Sequence, residues 1–233
     1  MNKNIGNPIV AVDVVVFIVD DSNCEPNNSS ALKILLTKRD HAPFKNYWAL
    51  PGGFLKNNEL AMAAAGRLLK EKAGVAGSVN DIYLEQLYTF DDLRRDPRGR
   101  VITVAYFALA SESKIKLDPK NYELPGLYAV NNLPKLAFDH QKIVKYALKR
   151  LQAKVEYTNV VFSLLPRYFT LSQLQNIYEV IFGKRIDKRN FRKKFLSLSL
   201  IRPTKNILRG ARQRPTRLYE FIAKKPVELK KFL

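Results

Sequence analysis

The sequence predicts a mixed α/β domain followed by a smaller domain of two helices and a β-hairpin. Three observations lead to this fold class. β-Branched and aromatic runs alternate with amphipathic helical patterns over the first two thirds of the 233-residue chain. The composition changes near residue 155, and residues 151–233 carry 19 basic but only 5 acidic side chains. We therefore expect one domain over residues 1–154 and a second over residues 155–233.

Strand patterns in the first domain begin with residues 9–19, IVAVDVVVFIV, and continue with ALKILLTKR. A short strand and a turn follow in FKNYWALPGGF, and two more strands are expected over residues 81–90 and 101–110. Helices are predicted over residues 59–73 and about 139–154. The second of these has the apolar spacing of a single buried face, at Ile143, Val144, Ala147, Leu148 and Leu151.

The second domain contains two helical patterns, FTLSQLQNIYEVIFGK and IDKRNFRKKFLSLSLI, joined by a turn at Gly183. Thr170 or Ser172 can cap the first helix, and Asp187 can cap the second. Two strand patterns in IRPTKNILRGARQRPTRLYEFI then enclose a loop rich in arginine. Two helices joined by a short turn and followed by a hairpin predict a winged helix-turn-helix domain.

The charge of the chain predicts a polyanionic partner. Lys and Arg number 40 against 21 acidic residues, which gives a formal net charge of +19. Between residues 184 and 217 there are 13 basic side chains and one acid, Asp187, whereas a solvated surface normally mixes its signs. In the second helix, Phe191, Phe195 and Leu198 would face the core and leave the basic side chains outside. We expect double-stranded DNA to contact the outer face of this helix and the hairpin loop, through Lys184, Arg185, Lys188, Arg189, Asn190, Arg192, Lys193, Lys205, Arg209, Arg212, Arg214 and Arg217.

Composition argues against disulfides, structural metal sites and membrane spans. Cys24 is the sole cysteine, and the chain has two histidines, so neither an intrachain disulfide nor a zinc site is expected. The longest apolar runs, VVVFIV and VAYFALA, are far shorter than the roughly 20 residues of a membrane helix. The start, MNKNIGNP, lacks the apolar segment of a signal peptide. We expect a protein that acts in the cytoplasm.

Residues 51–75, PGGFLKNNELAMAAAGRLLKEKAGV, resemble the Nudix box, G-x5-E-x7-R-E-U-x-E-E-x-G-U, in which U is a bulky aliphatic residue. Seven positions match at the required spacing: Gly53, Glu59, Arg67, Leu69, Glu71, Gly74 and Val75. The resemblance implies the fold of that family, an α/β/α sandwich with a mixed sheet.

The resemblance also implies a particular chemistry, which this chain departs from. In the family, three glutamates of the R-E-U-x-E-E segment bind divalent cations that activate water on a diphosphate. Their spacing of i, i+3 and i+4 puts them on one helix face. This chain has Leu68, Glu71 and Lys72 at those positions. Mg²⁺ requires oxygen ligands, so we expect a vestigial box, no catalytic residues and no metal or other cofactor.

A degraded Nudix box joined to a winged helix-turn-helix domain resembles the Nudix-related transcriptional regulators. The segment LLPRYFTLSQLQNIYEVIFGKRIDKRNFRKKF is similar to their DNA-binding part. The resemblance implies a homodimer on palindromic operator DNA, and an effector in the Nudix domain that weakens DNA binding and lifts repression. The effector is ADP-ribose in the branch that controls NAD metabolism, and a sugar such as arabinose in another. The arginine-rich loop RRDPRGR favours a phosphorylated effector.

Side chains around the box are candidates for effector binding. An arginine and an aromatic face could hold a ribose and an adenine, and guanidinium groups suit phosphate oxygens. Each aromatic side chain could instead belong to the core, and each loop arginine could be solvated. The candidates are Arg39, Trp48, Phe54, Glu71, Arg95, Arg98 and His140.

Two other classes of function remain open. One is a weakly active hydrolase of ADP-ribose or a related nucleoside diphosphate, in which Glu59 and Glu71 hold Mg²⁺. The other is an RNA-binding or architectural protein with a vestigial Nudix scaffold. The first predicts Mg²⁺-dependent release of AMP, and the second predicts little sequence preference and no small-molecule ligand.

Overall fold

A computed structural model describes residues 7–19, 32–73, 82–111, 115, 125–210, 213–223 and 225–229. Gly74, Val75 and Arg212 lie outside the described residues. None of the helices in these ranges combines the length and the hydropathy that crossing a lipid bilayer requires.

The first domain is built on a mixed seven-stranded sheet, as predicted. The central strand β1 pairs in parallel with β6 along its whole length, from Ile9 opposite Val101 to Val19 opposite Ser111, and the other pairings are antiparallel. The order is β3-β2-β1-β6-β5, with β4 beside β1 and β7 beside β2. The strands are β1 (Ile9–Val19), β2 (Leu32–Lys38), β3 (Trp48–Ala49), β4 (Gly52–Phe54), β5 (Tyr83–Phe90), β6 (Val101–Ser111) and β7 (Pro125–Ala129).

Two helices cover opposite faces of this sheet, which confirms the α/β/α sandwich. Helix α1 (Ala61–Ala73) packs with Val12 and Val14 of β1, whereas α2 (His140–Tyr157) packs with Val15 and Phe17. Successive side chains of a strand point to opposite faces, so the continuous β-branched run serves both cores. Helix α1 begins two residues later than predicted. Before it, the side chain of Glu59 accepts a hydrogen bond from the amide of Lys56, which forms a turn there.

The winged helix-turn-helix domain contains α3 (Leu171–Phe182), α4 (Lys188–Ser197), β8 (Ile201–Gly210) and β9 (Gln213–Phe221), after a 3-10 turn at Val160–Ser163. Thr170 and Gln173 form a capping box on α3, so Thr170 rather than Ser172 is its cap. Gly183 ends α3 with a φ of 65°, and Asp187 caps α4 as predicted.

Buried Glu179 stabilises the turn between α3 and α4. Its Oε1 accepts hydrogen bonds from the side chain of Gln175 and from the amide of Ile186, both at 2.9 Å. Because this carboxylate lies in the core, its hydrogen bonds hold the two helices at a fixed separation.

One hydrophobic core continues from the sheet into the second domain. Helix α2 runs through the expected boundary at 154/155, and buried Leu151 and Val155 join the core that also contains Ile177 and Phe195. The side-chain amide of Gln152 donates to the carbonyl of Ile181 near the end of α3, at 2.9 Å. The last carbonyls of a helix lack partners within the helix. Gln152 of α2 therefore supplies a hydrogen-bond donor to one of the unpaired carbonyls at the end of α3. The precise boundary between the domains stays a prediction.

Candidate functional site

A cavity of about 160 Å³ lies where β1, β4, the loop after β5 and the start of α2 meet. Five of the seven expected effector residues line it: Arg39, Phe54, Arg95, Arg98 and His140. The remaining polar or aromatic side chains of the wall are Asp13, His41, Asp96 and Phe138.

Arg95 is held by two carboxylates in the cavity wall. Its Nη2 lies 3.2 Å from Oδ2 of Asp13 and 2.9 Å from Oδ1 of Asp139, and its Nε donates to Oδ2 of Asp139 at 3.2 Å. The side chain of Arg95 is 3% exposed. A Cβ at Gly52 would overlap Oδ1 of Asp13, so glycine is required for the close approach of β4. Arg95 therefore ties together β1, the loop after β5 and the start of α2.

His140 adds a neutral hydrogen-bonding group to the same wall. Its Nδ1 accepts a hydrogen bond from the amide of Leu50 at 2.9 Å, so the proton of the neutral ring is on Nε2. That nitrogen lies 3.6 Å from Oδ1 of Asp13. Burial lowers the pKa of His140 from its ordinary value, and the ring remains uncharged at neutral pH.

Arg98 forms the more open side of the cavity. Its guanidinium lies over the rings of Phe54 and Phe138, 5.0 and 5.6 Å from their centroids, and Arg39 lies 4.9 Å from the centroid of Phe138. Asp96 accepts from Nε and Nη2 of Arg98 at 3.0 and 2.7 Å. Although burial alone would raise it, these hydrogen bonds hold the pKa of Asp96 below its ordinary value. Stacked guanidinium and aromatic groups can bind a phosphorylated sugar or a base.

The two carboxylates of the Nudix-box segment, Glu59 before α1 and Glu71 on it, are paired with Arg67. This guanidinium contacts Glu59 at 2.5 and 3.0 Å and Oε2 of Glu71 at 3.0 Å. Hydrogen bonds from Arg67 and from the amide of Lys56 lower the pKa of Glu59 to about 2. Leu68 is buried below Gly53, where a Cβ would lie 3.0 Å from Leu68 Cδ2. In the part of the chain that the structure describes, no three His, Cys, Asp or Glu residues form a group suited to a metal ion.

Two of the expected effector residues do not line the cavity. Glu71 is exposed on α1 beside Arg67. Trp48 packs edge-to-face against Tyr128, with ring centroids 4.7 Å apart, and against Gly126. Trp48 therefore belongs to the packing of β3 on its neighbouring strands.

The outer face of α4 presents the basic side chains predicted to contact DNA. Phe191 and Phe195 are buried on the inner face, and Arg192 is half-buried, with its Nη2 3.0 Å from Oγ of Ser172. The side chains of Arg209 and Arg214 lie outside the described residues, as does Arg212. The exposed members of the predicted set are Lys184, Arg185, Lys188, Arg189, Asn190, Lys193, Lys205 and Arg217.

Sequence reasoning missed several residues of the cavity. Asp13 and Asp139 were not among the candidates, although Asp13 is the sole charged residue of the buried 11-residue strand β1. Charge at the centre of such a strand is a signal of a buried ion pair. Asp96 was not a candidate either; it accepts from the amide of Arg98 at 3.0 Å, as in a turn, and it also pairs with the guanidinium of Arg98. Phe138, with a φ of 52°, carried no signal in the sequence.

Comparisons with known proteins agree with this architecture. Residues 10–147 match the NUDIX domain family, and residues 161–221 match the NrtR DNA-binding winged helix domain. The chain is 37% identical, over 92% of its length and 82% of the relative, to the ADPR responsive transcriptional repressor NtrR of Acinetobacter baylyi. It is 39% identical, over 60% of its length and 72% of the relative, to an ADP-ribose pyrophosphatase of Methanocaldococcus jannaschii. The crystal structure of Shewanella oneidensis NrtR complexed with a 27mer DNA aligns with a TM-score of 0.76 and 33% identity, and covers 91% of this chain and 93% of that one.

Proposed function

The chain belongs to the NrtR-like family, which joins a Nudix domain to a C-terminal winged-helix domain, and we propose that it is an ADP-ribose-responsive transcriptional repressor. It would bind double-stranded operator DNA through α4 and the β8–β9 hairpin, and it would release the DNA when ADP-ribose occupies the cavity. The repressor of Acinetobacter baylyi and the DNA complex of the Shewanella oneidensis protein support this reading.

Helix α2 carries the proposal because it begins in the cavity wall and ends against the DNA-binding helices. Asp139, the residue before it, pairs with Arg95, and His140 is its first residue. Twelve residues later, Gln152 bonds the carbonyl of Ile181. At 1.5 Å per residue, the 18 residues of α2 span about 27 Å. A ligand that changes the contacts of Arg95 or His140 would therefore act on an element that directly holds α3.

The proposed mechanism is a shift between two arrangements of the DNA-binding helices. In a homodimer on palindromic DNA, two recognition helices must match successive major grooves, about 34 Å apart. ADP-ribose would favour an arrangement that does not match, and it can do so only by binding that arrangement more tightly. That the chain forms a homodimer and binds a palindromic operator is inferred from the family. Its action in the cytoplasm remains a prediction.

The size of the cavity bears on how ADP-ribose would bind. At about 160 Å³ it is smaller than the 300–1,000 Å³ or so of pockets that enclose a drug-sized ligand. A sugar-phosphate part would lie inside, near Arg39 and Arg98, and the remainder would lie outside over Phe54, which is 44% exposed. A single sugar would also fit, so a sugar such as arabinose is the alternative effector.

We infer that the Nudix-like helix has lost its hydrolase role. Arg67 occupies both oxygens of Glu59 and one of Glu71, and Leu68 and Lys72 stand where the family has metal-binding glutamates. A divalent cation would have to displace Arg67 and would be repelled by Lys72. The relationship to an ADP-ribose pyrophosphatase nevertheless favours hydrolysis as the second candidate function. Release of AMP from ADP-ribose with Mg²⁺, abolished by Glu71→Gln, would establish it.

The test of the proposed function is fluorescence anisotropy on a labelled duplex from the protein's own upstream region. The salt concentration must be constant, because a protein this basic binds any DNA at low salt. We expect sequence-selective binding that ADP-ribose weakens. Arg98→Leu should lose this response, whereas Arg94→Leu, an exposed arginine of the same loop outside the cavity wall, should keep it. Selective DNA binding that is unchanged by ADP-ribose would indicate that the effector is a sugar. Absence of any preference among DNA sequences would favour an RNA-binding or architectural role.

A further inference from the structure

After the hairpin, the chain returns to the end of α2. Residues 225–229, which we call the return segment, lie antiparallel to the last residue of α2 and the two residues that follow it. The amide of Leu229 donates to the carbonyl of Tyr157 at 2.7 Å. The amide of Asn159 donates to the carbonyl of Val227 at 3.4 Å. The two stretches therefore form a short β-ladder at the place where α2 ends.

Asn159 uses its side chain to bind the return segment and not to cap the turn that it precedes. It stands at the N-cap position of the 3-10 turn Val160–Ser163, where an asparagine side chain ordinarily accepts from an amide of the turn, but it makes no such bond. Its Oδ1 accepts from the amide of Val227 at 2.7 Å, and its Nδ2 donates to the carbonyl of Lys225 at 3.3 Å. Asn159 is 1% exposed, so water cannot replace these partners.

The ladder lies at the joint between the two domains. Thr158 and Asn159, which form this joint, are the two residues between the end of α2 and the 3-10 turn that leads towards α3. Hinges between rigid elements are made by a few such residues at element ends, whose backbone angles absorb the motion. The hydroxyl of Thr158 donates to the carbonyl of Lys154 at 2.8 Å, and the return segment holds Asn159. A rotation at the joint would therefore break hydrogen bonds of two buried side chains.

We propose that the return segment is a strap that makes the joint rigid and thereby couples effector binding to DNA release. The inference rests on the proposed function, and it names the element through which the cavity acts on the DNA-binding helices. Helix α2 begins in the cavity wall with His140, so a displacement caused by the effector reaches the joint at the other end of the helix. With the strap in place, this displacement moves α3 and α4. Without the strap, rotation at the joint absorbs it.

The test compares the wild type with two variants that release the strap. The first lacks residues 225–233. The second, Val227→Pro, keeps the whole chain but removes the amide that donates to Oδ1 of Asn159, because proline has no backbone N–H. Glu228→Gln is the matched control: its side chain is exposed in the same segment, and the substitution leaves the main-chain hydrogen bonds of the ladder in place.

The measured quantity is the coupling factor of each protein. Anisotropy at constant salt gives the Kd of an operator duplex from the protein's own upstream region, with and without saturating ADP-ribose, and the ratio of the two values is the factor. The loss of lysines in the first variant affects both values alike. Calorimetry gives the Kd of ADP-ribose without DNA. We expect a factor of roughly 5–150 in the wild type and in Glu228→Gln. In both strap variants the factor should fall to near one, while the Kd of ADP-ribose stays unchanged.

Two results would overturn the strap and leave the proposed function intact. If both strap variants keep the coupling factor of the wild type, the hydrophobic core that α2 shares with the second domain is sufficient for coupling. If both lose affinity for ADP-ribose in the absence of DNA, the return segment supports the first domain and does not act as a coupling element. If ADP-ribose releases no DNA from the wild type, the strap and the proposed function both fail.

Discussion

The ion pair between Arg95 and its two carboxylates makes a quantitative prediction about stability. Arg95→Leu removes three contacts of 2.9–3.2 Å and leaves the buried carboxylates of Asp13 and Asp139 without their guanidinium partner. The side chains of Arg95, Asp13 and Asp139 are 3%, 8% and 10% exposed, so water cannot replace the guanidinium. Removal of one partner from a buried pair costs about 3–5 kcal/mol. We expect the free energy of unfolding to fall by that amount.

The assay is urea unfolding followed by circular dichroism at pH 7, with Arg94→Leu as the matched control. Arg94 lies beside Arg95 in sequence, but it is exposed, and its loss should change the free energy of unfolding by less than about 0.5 kcal/mol. If Arg95→Leu lowers the free energy of unfolding by less than about 1 kcal/mol, the ion pairs of Arg95 with Asp13 and Asp139 do not hold β1, the loop after β5 and α2 together. The same result would remove the basis for transmission from the cavity through Arg95 and Asp139.

Three further predictions concern the neighbouring residues and the DNA-binding surface. Burial lowers the pKa of His140, so below about pH 6.5 the unfolded chain takes up a proton at this residue while the folded chain does not. The free energy of unfolding should therefore decrease as the pH is lowered below that value, by at most about 1.4 kcal/mol per pH unit. His140→Asn should flatten this slope in urea unfolding series at several pH values, and a rise in stability on acidification would contradict the assignment. Gly52→Ala should destabilise the fold in thermal unfolding, because its Cβ would displace Asp13, and an unchanged melting temperature would disprove that constraint. Lys193→Gln should weaken DNA binding equally for all sequences and lower the salt slope by about 0.9, and a change confined to one operator sequence would instead make Lys193 a reader of bases.

The elements with strong periodicity were predictable from the sequence, and for physical reasons. The β-branched run of β1 and the buried face of α2 each repeat one environment over many residues, so the pattern is unambiguous. The cap at Asp187 follows from local side-chain chemistry that needs no tertiary contact, whereas for α3 the sequence left Thr170 and Ser172 both open. The two helices and hairpin of the second domain were predicted on the same grounds.

The cavity was only partly predictable because its wall is made by contacts between distant residues. Arg95 and Asp13 are 82 positions apart, and Leu50 and His140 are 90 apart. Local patterns placed arginines in the right loop, but they could not show that Arg95 is committed to carboxylates whereas Arg98 stacks on rings. Trp48 was expected in the effector site on the strength of its aromatic ring alone, and packing against Tyr128 explains that ring equally well. The pairing of Arg67 with Glu59 likewise depends on the turn before α1.

The central claim is that the Nudix domain and the winged domain are coupled by a ligand, and a reciprocal titration tests it most directly. Isothermal titration calorimetry gives the Kd of ADP-ribose with and without saturating operator duplex, and anisotropy gives the Kd of the duplex with and without saturating ADP-ribose. Linkage requires the same factor in both directions. We predict that each ligand weakens the other by one equal factor, roughly 5–150-fold. Unchanged affinity of ADP-ribose in the presence of bound operator DNA would contradict the claim.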